Sequence, residues 1–452
     1  MAGASLPKLL AALDKPRLAA YARNLRFYQG EQWPAQRQGS GARRLTLNYA
    51  RTLIDKVTSY VTADVRLEVR PPTLTGQPTE AQLAAAREAE LVLAGIADEN
   101  GLERLDYETE TDAAVLGDGA YKVTWDASRG RVVITAPDVQ GIWAWYDPYD
   151  PRRLMRVAHR YLITAASAAA LGVGVSRDVL AVEDWTAETV ELWVDQAKVE
   201  SRDNVYGFVP FVVYPNLPVP KSPWGVSDIE AVRGAAEETN RIFSALSRML
   251  ELSGNPVAVL AGVESSTDIA VAPGAVWELP GEAKAYLLDL LSGGGARVHI
   301  DYLDAVYRAI HDLGEVPRTA FGDNARSLSG VALEIELQPL QQKVLRKRII
   351  RGDVYRRRAE MSLALLDMFT GTAHSGAGQV AHTWGTITPS DPNQDVTRES
   401  ARVGAGLSSA AAAMGRLGEE DPSSEWAAIL REREELPAAG AEVGGGPGSE
   451  GA

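Results

Sequence analysis

Apolar residues recur at two different spacings in the first 226 residues of the chain. Spacings of three and four predict helices, and alternation of apolar and polar residues predicts half-buried strands. The predicted helices cover residues 6–28, 47–61, 80–100 and 102–116. The predicted strands cover residues 64–69, 120–125, 131–135, 142–146, 156–163, 181–185, 190–194 and 208–214. This region is therefore predicted to be mixed α and β.

The middle of the chain changes to long helices around a short insert. Ser227 and Glu230 have the spacing of a capping box, in which two side chains satisfy the free amides at the start of a helix. The helix that begins there is predicted to run to about Leu252, which makes it ~39 Å long. The insert, residues 255–296, is rich in Val, Gly and Pro, and a second helix is predicted at 298–313.

A loop at residues 314–330 leads to a second long helical pattern, predicted at 331–369. Pro339 is expected to kink this helix, because proline lacks an amide donor and clashes with the preceding turn. A strand is predicted at 384–387, after a break rich in Gly and Ser. Further helices are predicted at 395–403, 408–417 and 424–434, and the Ala- and Gly-rich residues 437–452 are predicted to be disordered.

Composition narrows the function classes. The chain has 452 residues, of which 45% are hydrophobic and 23% charged, as in an ordinary soluble globular protein. It has no cysteine, which excludes disulfides and thiolate metal sites. The net charge of −14 argues against a general nucleic-acid coat, which would be basic, but not against a channel through which DNA slides. No apolar run reaches the length of a membrane span, so no membrane partner is expected.

Catalytic motifs are missing from the sequence. No Gly-Lys dipeptide is present, so there is no phosphate-binding loop of the Walker type. The five histidines show no zinc-ligand spacing, and no nucleophile-elbow motif occurs. We therefore expect no catalytic residues, no metal and no cofactor, and expect that the protein is not an enzyme.

The clearest charge feature is the segment from Lys343 to Arg358, which holds eight basic residues against the single acid Asp353. One hypothesis makes it a surface that binds nucleic acid or an acidic partner. The other pairs its basic side chains with acidic neighbours, within the subunit or across an interface. The sequence leaves both open.

Several short motifs, in a shared order, resemble those of portal proteins from long-tailed (siphovirus-like) double-stranded DNA bacteriophages. Each is weak alone, and together they span about residues 20–430. The matching elements are FYQGEQ at 27–32 followed by Asn48 and IDKV at 54–57, PWGVSDI at 223–229 with Asn240 in the helix that follows, SGVAL at 329–333, and GLSS at 406–409.

The resemblance implies an α+β portal-like fold and a ring of about twelve subunits around a DNA channel. It implies a mixed α/β wing, a stem of two long helices, a small clip insert, a kinked long helix and a helical C-terminal crown. The corresponding ranges are 1–226 (wing), 227–253 (first stem helix), 254–297 (clip), 298–313 (second stem helix), 314–330 (tunnel loop), 331–369 (long kinked helix of the wing), 370–436 (crown) and 437–452 (disordered tail).

The same resemblance implies the partners and the location. The expected partners are other copies of the chain, double-stranded DNA in transit, the terminase large subunit, a head–tail adaptor protein, and the major capsid or scaffolding protein. The protein is expected at a capsid vertex of the virion after assembly in the cytoplasm of the host bacterium. It would serve DNA packaging and ejection.

Two sets of site residues follow from this architecture. A passage must not hold its cargo, because every neutralised phosphate strengthens binding. The mainly acidic set Asp301, Asp304, Arg308 and Asp312 suits a channel lining. The loop residues Arg318, Asn324 and Arg326 are the candidates for touching phosphates. The alternative is an ordinary surface loop, in which the two arginines pair with Glu315 and Asp323.

Three other interpretations stay open at this point. The chain could be another head or connector protein of a phage, although such a protein would lack the helix–insert–helix–loop–long helix order. It could be a nucleic-acid-processing enzyme, which metal-dependent hydrolysis would reveal. It could also be an isolated α/β scaffold with a coiled-coil arm, which would be monomeric.

Overall fold

The computed structural model describes residues 5–34, 44–72, 77–254, 258–261, 281, 284–287, 295–322, 330–385, 387, 392–419 and 421–435. They belong to two compact units, Met1–Gly385 and Thr386–Ala452. Both helices and antiparallel strands are present, so the predicted α+β class is confirmed. The predicted insert 255–296 lies largely outside the described residues.

The N-terminal helices differ from the prediction at one place. The pattern at 6–28 forms two helices because Asp14 adopts a left-handed conformation with φ 53° and Pro16 stands in the first turn of the second. Later helices agree closely with the prediction, and Gly101, with φ 57°, ends one and precedes the next. The helices are α1 Leu6–Ala12, α2 Lys15–Tyr28, α3 Tyr49–Val61, α4 Glu80–Asn100, α5 Leu102–Leu116 and α6 Ala165–Ala170.

The N-terminal unit contains two larger antiparallel sheets. One has the order β3-β2-β9, and the other is a five-stranded meander β4-β5-β6-β7-β8. The strands are β1 Val65–Arg70, β2 Asp118–Asp126, β3 Arg131–Thr135, β4 Ile142–Tyr146, β5 Leu154–Ile163, β6 Val179–Thr186, β7 Thr189–Val194, β8 Ala197–Asp203 and β9 Phe211–Pro215. Two short pairs follow, β10 Leu217–Pro218 with β11 Gly225–Val226 and β12 Ala258–Ala261 with β13 Lys284–Leu287.

Two elements of the meander were not predicted. Strand β8 has the sequence AKVESRD, and all of its residues except Val199 are exposed. It therefore lacks the apolar face on which strand prediction depends. Helix α6 is a short alanine-rich turn capped by Thr164, whose hydroxyl accepts from the amide of Ser167 at 3.2 Å.

Three long helices follow, as predicted. They are α7 Asp228–Gly254, α8 Gly295–Gly314 and α9 Gly330–Thr370. Helices α7 and α8 pack against each other, and α3 packs against α7 and α9. Pro339 lies inside α9, and the predicted kink there stays a prediction.

The start of α7 confirms half of the predicted capping box. The Ser227 hydroxyl accepts from the amide of Ile229 at 3.1 Å and donates to the carbonyl of Ala114 at 2.9 Å. The Glu230 carboxylate instead contacts Arg23 at 2.8 Å and Arg233 at 3.3 Å. The glutamate therefore joins α7 to α2.

The predicted strand at 384–387 lies earlier in the chain, as β14 Gln379–Trp384. It pairs antiparallel with β1, with Val69 opposite Val380. The pairing places residues up to Gly385 in the N-terminal unit, although they fall in the range predicted as crown. The alternation of apolar and polar residues around Val380 and His382 is short. The large aromatic side chain of Trp384 therefore led to a predicted strand that begins where β14 ends.

The C-terminal unit contains helices close to the predicted ones, α10 Pro392–Gly404, α11 Ala410–Arg416 and α12 Pro422–Glu435. Its polar centre is Glu399, whose carboxylate contacts Arg402 at 3.4 Å and Arg416 at 2.6 Å. These guanidinium groups hold the pKa of Glu399 below its ordinary value.

Candidate functional site

The basic segment of α9 lies inside the protein. Lys347 and Arg351 are fully buried, and Lys343 and Arg358 nearly so. They follow one another at intervals of four, four and seven residues, which is the spacing of one helix face. Three buried acids face them from other elements, Asp106 and Glu110 on α5 and Asp228 at the start of α7. We call these seven residues the ionic clamp.

Each contact in the ionic clamp joins distant parts of the chain. Lys347 Nζ lies 3.2 Å from Glu110 Oε1 and 2.7 Å from Asp228 Oδ2. Arg351 binds Glu110 through two nitrogens at 2.6 and 3.0 Å. Arg358 pairs with Asp106, whose carboxylate also accepts from the Tyr121 hydroxyl at 2.7 Å. Helix α9 is thereby fastened to α5 and to the start of α7.

Lys343 contacts both the start of α7 and the end of α8. Its Nζ lies 2.9 Å from Asp228 Oδ1 at the start of α7. It also donates to the carbonyl of Gly314, the last residue of α8, at 2.9 Å. Just beyond, Glu315 accepts from Arg346 at 2.6 Å, and a His311 ring nitrogen lies 2.8 Å from the Val316 carbonyl oxygen. The position at which the chain leaves α8 is therefore fixed.

Electrostatics in the clamp favour the charged forms. Burial by itself would raise the pKa of Asp228, but Lys343 and Lys347 hold that pKa well below its ordinary value. Burial would lower the pKa of Arg351, and the adjacent Glu110 instead keeps it above its ordinary value. Breaking one member of such a group leaves an uncompensated buried charge, which is strongly destabilising.

This arrangement decides between the two hypotheses for the basic segment. Its side chains pair with acidic groups within the subunit, as the second hypothesis stated. The half-buried Arg356 and Arg357 follow the same pattern, since both contact Asp353. Arg348 donates to the backbone carbonyls of Tyr60 and Gly385, each at 2.7 Å. No DNA-binding surface is needed to account for this segment.

The predicted channel-lining residues lie together on one exposed stripe of α8. Asp301 pairs with Arg297 at 3.1 Å, and Asp304 pairs with Arg308. Asp312 continues the stripe and is exposed. These are pairs within a single helix, and all of their side chains contact solvent.

A second stripe of α8, beside the charged one, is apolar and exposed. Val298, Tyr302 and Leu313 are 68%, 48% and 52% exposed, and Ala305 and Ala309 lie between them at helical spacing. The remaining face carries Ile310, which is fully buried, and packs on the rest of the subunit. Helix α8 therefore presents one buried, one charged and one apolar exposed face.

The predicted DNA-contacting residues are described only in part. Arg318 begins a 3₁₀ turn, Arg318–Phe321. Its guanidinium lies 5.1 Å from the ring centre of Tyr307 and 4.0 Å from Asp304. Glu315, one of the two partners expected in the alternative, binds Arg346 at 2.6 Å. Asn324 and Arg326, with Asp323, lie outside the described residues.

Sequence reasoning missed the acidic half of the clamp. Asp106 and Glu110 stand four residues apart on α5, the same interval as between Lys343, Lys347 and Arg351. Matching intervals on two helices were the available signal. What the sequence did not show is that the two faces meet, because their separation along the chain exceeds 230 residues.

The described residues contain no cluster of three or more His, Cys, Asp or Glu side chains able to hold a metal ion. Across the same residues, no helix is long and apolar enough to cross a membrane.

Comparison with known proteins places the chain in a class. A family model described as "Phage portal protein, SPP1 Gp6-like" matches residues 10–437, which is nearly the whole length. Proteins of this class are structural components of the virion, and DNA is packaged through their channel. Within that class, the chain belongs to the SPP1 Gp6-like family of phage portal proteins. No curated protein matches the chain.

Proposed function

We propose that about twelve copies of the chain form a closed ring at one capsid vertex, with α7 and α8 as the stem around the DNA channel. The N-terminal α/β region with α9 is the wing, residues 254–297 are the clip, 314–330 the tunnel loop, and the helical C-terminal unit the crown. Membership of the portal family supports a ring of this general kind.

The observation that carries the proposal is the division of the α8 surface. An exposed apolar stripe is a surface that a soluble monomer rarely leaves open, and it suits contact with a neighbouring stem. The charged stripe beside it, with Asp301 and Asp304, faces the channel in this arrangement. Its acidic groups repel phosphates, so the duplex passes without being held.

The ionic clamp supports the stem in the proposed assembly. Both stem helices meet Lys343 at their wing ends, so a load on the stem passes directly to α9 and α5. The opposite ends carry the clip, where β12 and β13 form a small antiparallel pair. The clip is the proposed docking site for the terminase large subunit and later for the head–tail adaptor.

The wing is the proposed contact for the major capsid or scaffolding protein. Assembly takes place in the cytoplasm of the host bacterium, and the ring then serves DNA packaging and later ejection. The chain itself has no enzymatic activity in this proposal, because the ATPase belongs to the separate terminase motor. ATP turnover by the purified chain that survives repurification and is lost on a point mutation would contradict this.

Negative-stain images and native mass spectrometry of the purified chain test the ring directly. We expect closed rings with a central hole at micromolar concentration and moderate salt. A single 48.6 kDa species at that concentration would refute the ring.

The proposed DNA contact of the tunnel loop has its own test. The double variant Arg318→Ala with Arg326→Ala should still assemble into rings, but should change filled-capsid yield in a salt-dependent way, because phosphate contacts depend on salt. Arg129→Ala, an exposed substitution on the β2–β3 turn, is the control. Superimposable salt curves for the double variant and the wild type would remove these arginines from the channel.

A further inference from the structure

Two acids of the exposed charged stripe of α8 differ in their partners. Asp301 pairs with Arg297, four residues earlier on the same helix. Asp304 instead contacts two guanidinium groups, one at each carboxylate oxygen. Its Oδ2 pairs with Arg308 on the next turn of α8, and its Oδ1 lies 4.0 Å from Arg318. Asp304 therefore joins the stripe to the first residue of the 3₁₀ turn that follows α8.

The backbone around Arg318 is held by hydrogen bonds. The Val316 amide donates to the His311 carbonyl at 3.1 Å. The Ala320 amide donates to the Pro317 carbonyl at 3.0 Å and closes the 3₁₀ turn. The side chain of Arg318 is nevertheless 42% exposed. The backbone position is thus fixed, while the guanidinium group is able to exchange one partner for another.

An aromatic ring of α8 lies beside the same guanidinium group. The central carbon of the Arg318 guanidinium lies 5.1 Å from the ring centre of Tyr307, which stands three residues after Asp304. Tyr307 in turn packs on Tyr49 at the start of α3, with 5.1 Å between the ring centres. An aromatic face attracts a cation but carries no net charge of its own. Tyr307 therefore helps to place the guanidinium group, and Asp304 supplies the counter-charge.

The charges of Asp304, Arg308 and Arg318 do not cancel. Both guanidinium groups are always protonated in proteins, so one carboxylate faces two positive charges. The three side chains are between 42% and 68% exposed, which leaves them open to a further partner. The fork of a guanidinium group binds carboxylate and phosphate in the same geometry. A phosphate group can therefore replace Asp304 as the partner of either arginine.

We propose that Arg308 and Arg318 together form a phosphate contact in the channel wall, and that Asp304 is the positioning residue that limits its strength. The ligand is the phosphodiester backbone of duplex DNA. Asp304 competes with the phosphate for both guanidinium groups, so a contact with DNA is gained only when a contact within the protein is lost. The exchange is nearly balanced, and the contact breaks as easily as it forms. This inference rests on the ring and the channel wall proposed above.

Repetition of the site in every subunit makes the competition important. Each phosphate that a protein neutralises strengthens binding and adds about 0.9 to the dependence of log affinity on log salt. Without Asp304, each subunit would offer the duplex two arginines with no carboxylate between them. A duplex that is bound at many such points would be held rather than passed.

The two acids provide a matched pair of variants. Asp304→Asn and Asp301→Asn each remove one negative charge from the same stripe, but only Asp304→Asn releases Arg318. Both variants should form rings and keep the urea midpoint of the wild type, because exposed pairs contribute little to stability. Fluorescence anisotropy of a short labelled DNA duplex, titrated with assembled rings at several salt concentrations, measures the binding.

Asp304→Asn should bind the duplex at least about tenfold more tightly than Asp301→Asn at low salt, and its affinity should fall more steeply as salt is raised. A general loss of repulsion between the stripe and DNA would instead raise both affinities equally. Asp304→Glu keeps the carboxylate and should bind the duplex as weakly as the wild type.

A second pair of variants assigns the gain in affinity to one arginine. Adding Arg318→Gln to Asp304→Asn should remove most of the gain, whereas adding Arg297→Gln should leave most of it. Both additions remove one positive charge near the stripe, so their difference reports the specific contact. The effects of Asp304→Asn and Arg318→Gln on the free energy of binding should be non-additive, as expected for residues that act through one another.

The outcomes separate this inference from the ring. Rings whose Asp304→Asn and Asp301→Asn variants bind the duplex equally would overturn the role of Asp304 and leave the ring standing. Rings in which no variant binds duplex DNA at low salt would remove the phosphate contact altogether. Wild-type protein that forms no ring would overturn the proposed assembly, and this inference with it.

Discussion

Basic residues of α9 and of α8 both pair with acids, but in opposite surroundings. In α9, Lys347 and Arg351 are fully buried and their partners come from distant helices. In α8, Arg297 and Arg308 are exposed, and their partners stand four residues along the same helix. A buried pair between distant elements fixes the fold, because neither charge tolerates separation. An exposed pair within one helix contributes little to stability, so its charged groups remain accessible to other molecules.

The largest expected effect comes from removing a cation in the clamp. Lys347→Met leaves Glu110 and Asp228 short of a buried partner, and should lower the free energy of unfolding by about 3 kcal/mol. Urea unfolding followed by tryptophan fluorescence measures it. Arg346→Met, one residue earlier and paired with the exposed Glu315, is the matched control. Equal losses of unfolding free energy in both variants would show that the buried and the exposed pair stabilise the fold equally.

The second-largest effect is expected from acid, which should destabilise the ionic clamp. The pKa of Asp228 is lower in the folded than in the unfolded protein, so its contribution is complete above the ordinary carboxyl pKa of about 4 and is lost as pH falls below that value. Each unit of difference corresponds to roughly 1.4 kcal/mol. We expect the stability of Asp228→Asn to fall less steeply with acid than that of the wild type. Parallel curves between pH 5 and pH 2.5 would show that Asp228 is not held ionised.

Reversing charge on the exposed stripe should spare the fold and impair passage. Asp301→Lys with Asp304→Lys should leave the urea midpoint nearly unchanged. Filled-capsid yield should fall about tenfold at low salt and recover as salt is raised, because the ring multiplies each new phosphate contact. Glu188→Lys, in the exposed β6–β7 turn, is the control. A yield independent of salt would place this stripe away from DNA.

The smallest effect is expected from Arg297→Ala. Its pair with Asp301 is exposed and lies within one helix, so the loss in unfolding free energy should be about 0.5 kcal/mol or less. Differential scanning calorimetry at low and moderate salt measures it. A loss comparable to that of Lys347→Met would mean that α8 is buried in the species measured.

Local sequence patterns predicted most helices and strands, whereas contacts between distant parts of the chain were harder to predict. The helices on either side of Gly101 and the positions of strands β4 to β7 follow from spacing and turn residues. Strand β8 was missed because its sequence lacks an apolar face. Helices α1 and α2 were predicted as one helix because the left-handed conformation of Asp14 does not change the spacing of apolar residues. For the site, the charged stripe of α8 could be predicted because it lies within one helix. The clamp could not be predicted, since no local pattern shows that α5 meets α9.

The contacts that Lys343 makes with the start of α7 and the end of α8 have a consequence for the order of biosynthesis. The chain departs at Asp228 and returns at Gly314, and the side chain that joins those two points is made afterwards. Residues 228–314 are therefore synthesised before Lys343. Contacts between residues so far apart along the chain form late and slowly. Helices α7 and α8 therefore cannot be held in their fixed positions at Lys343 until α9 has been synthesised.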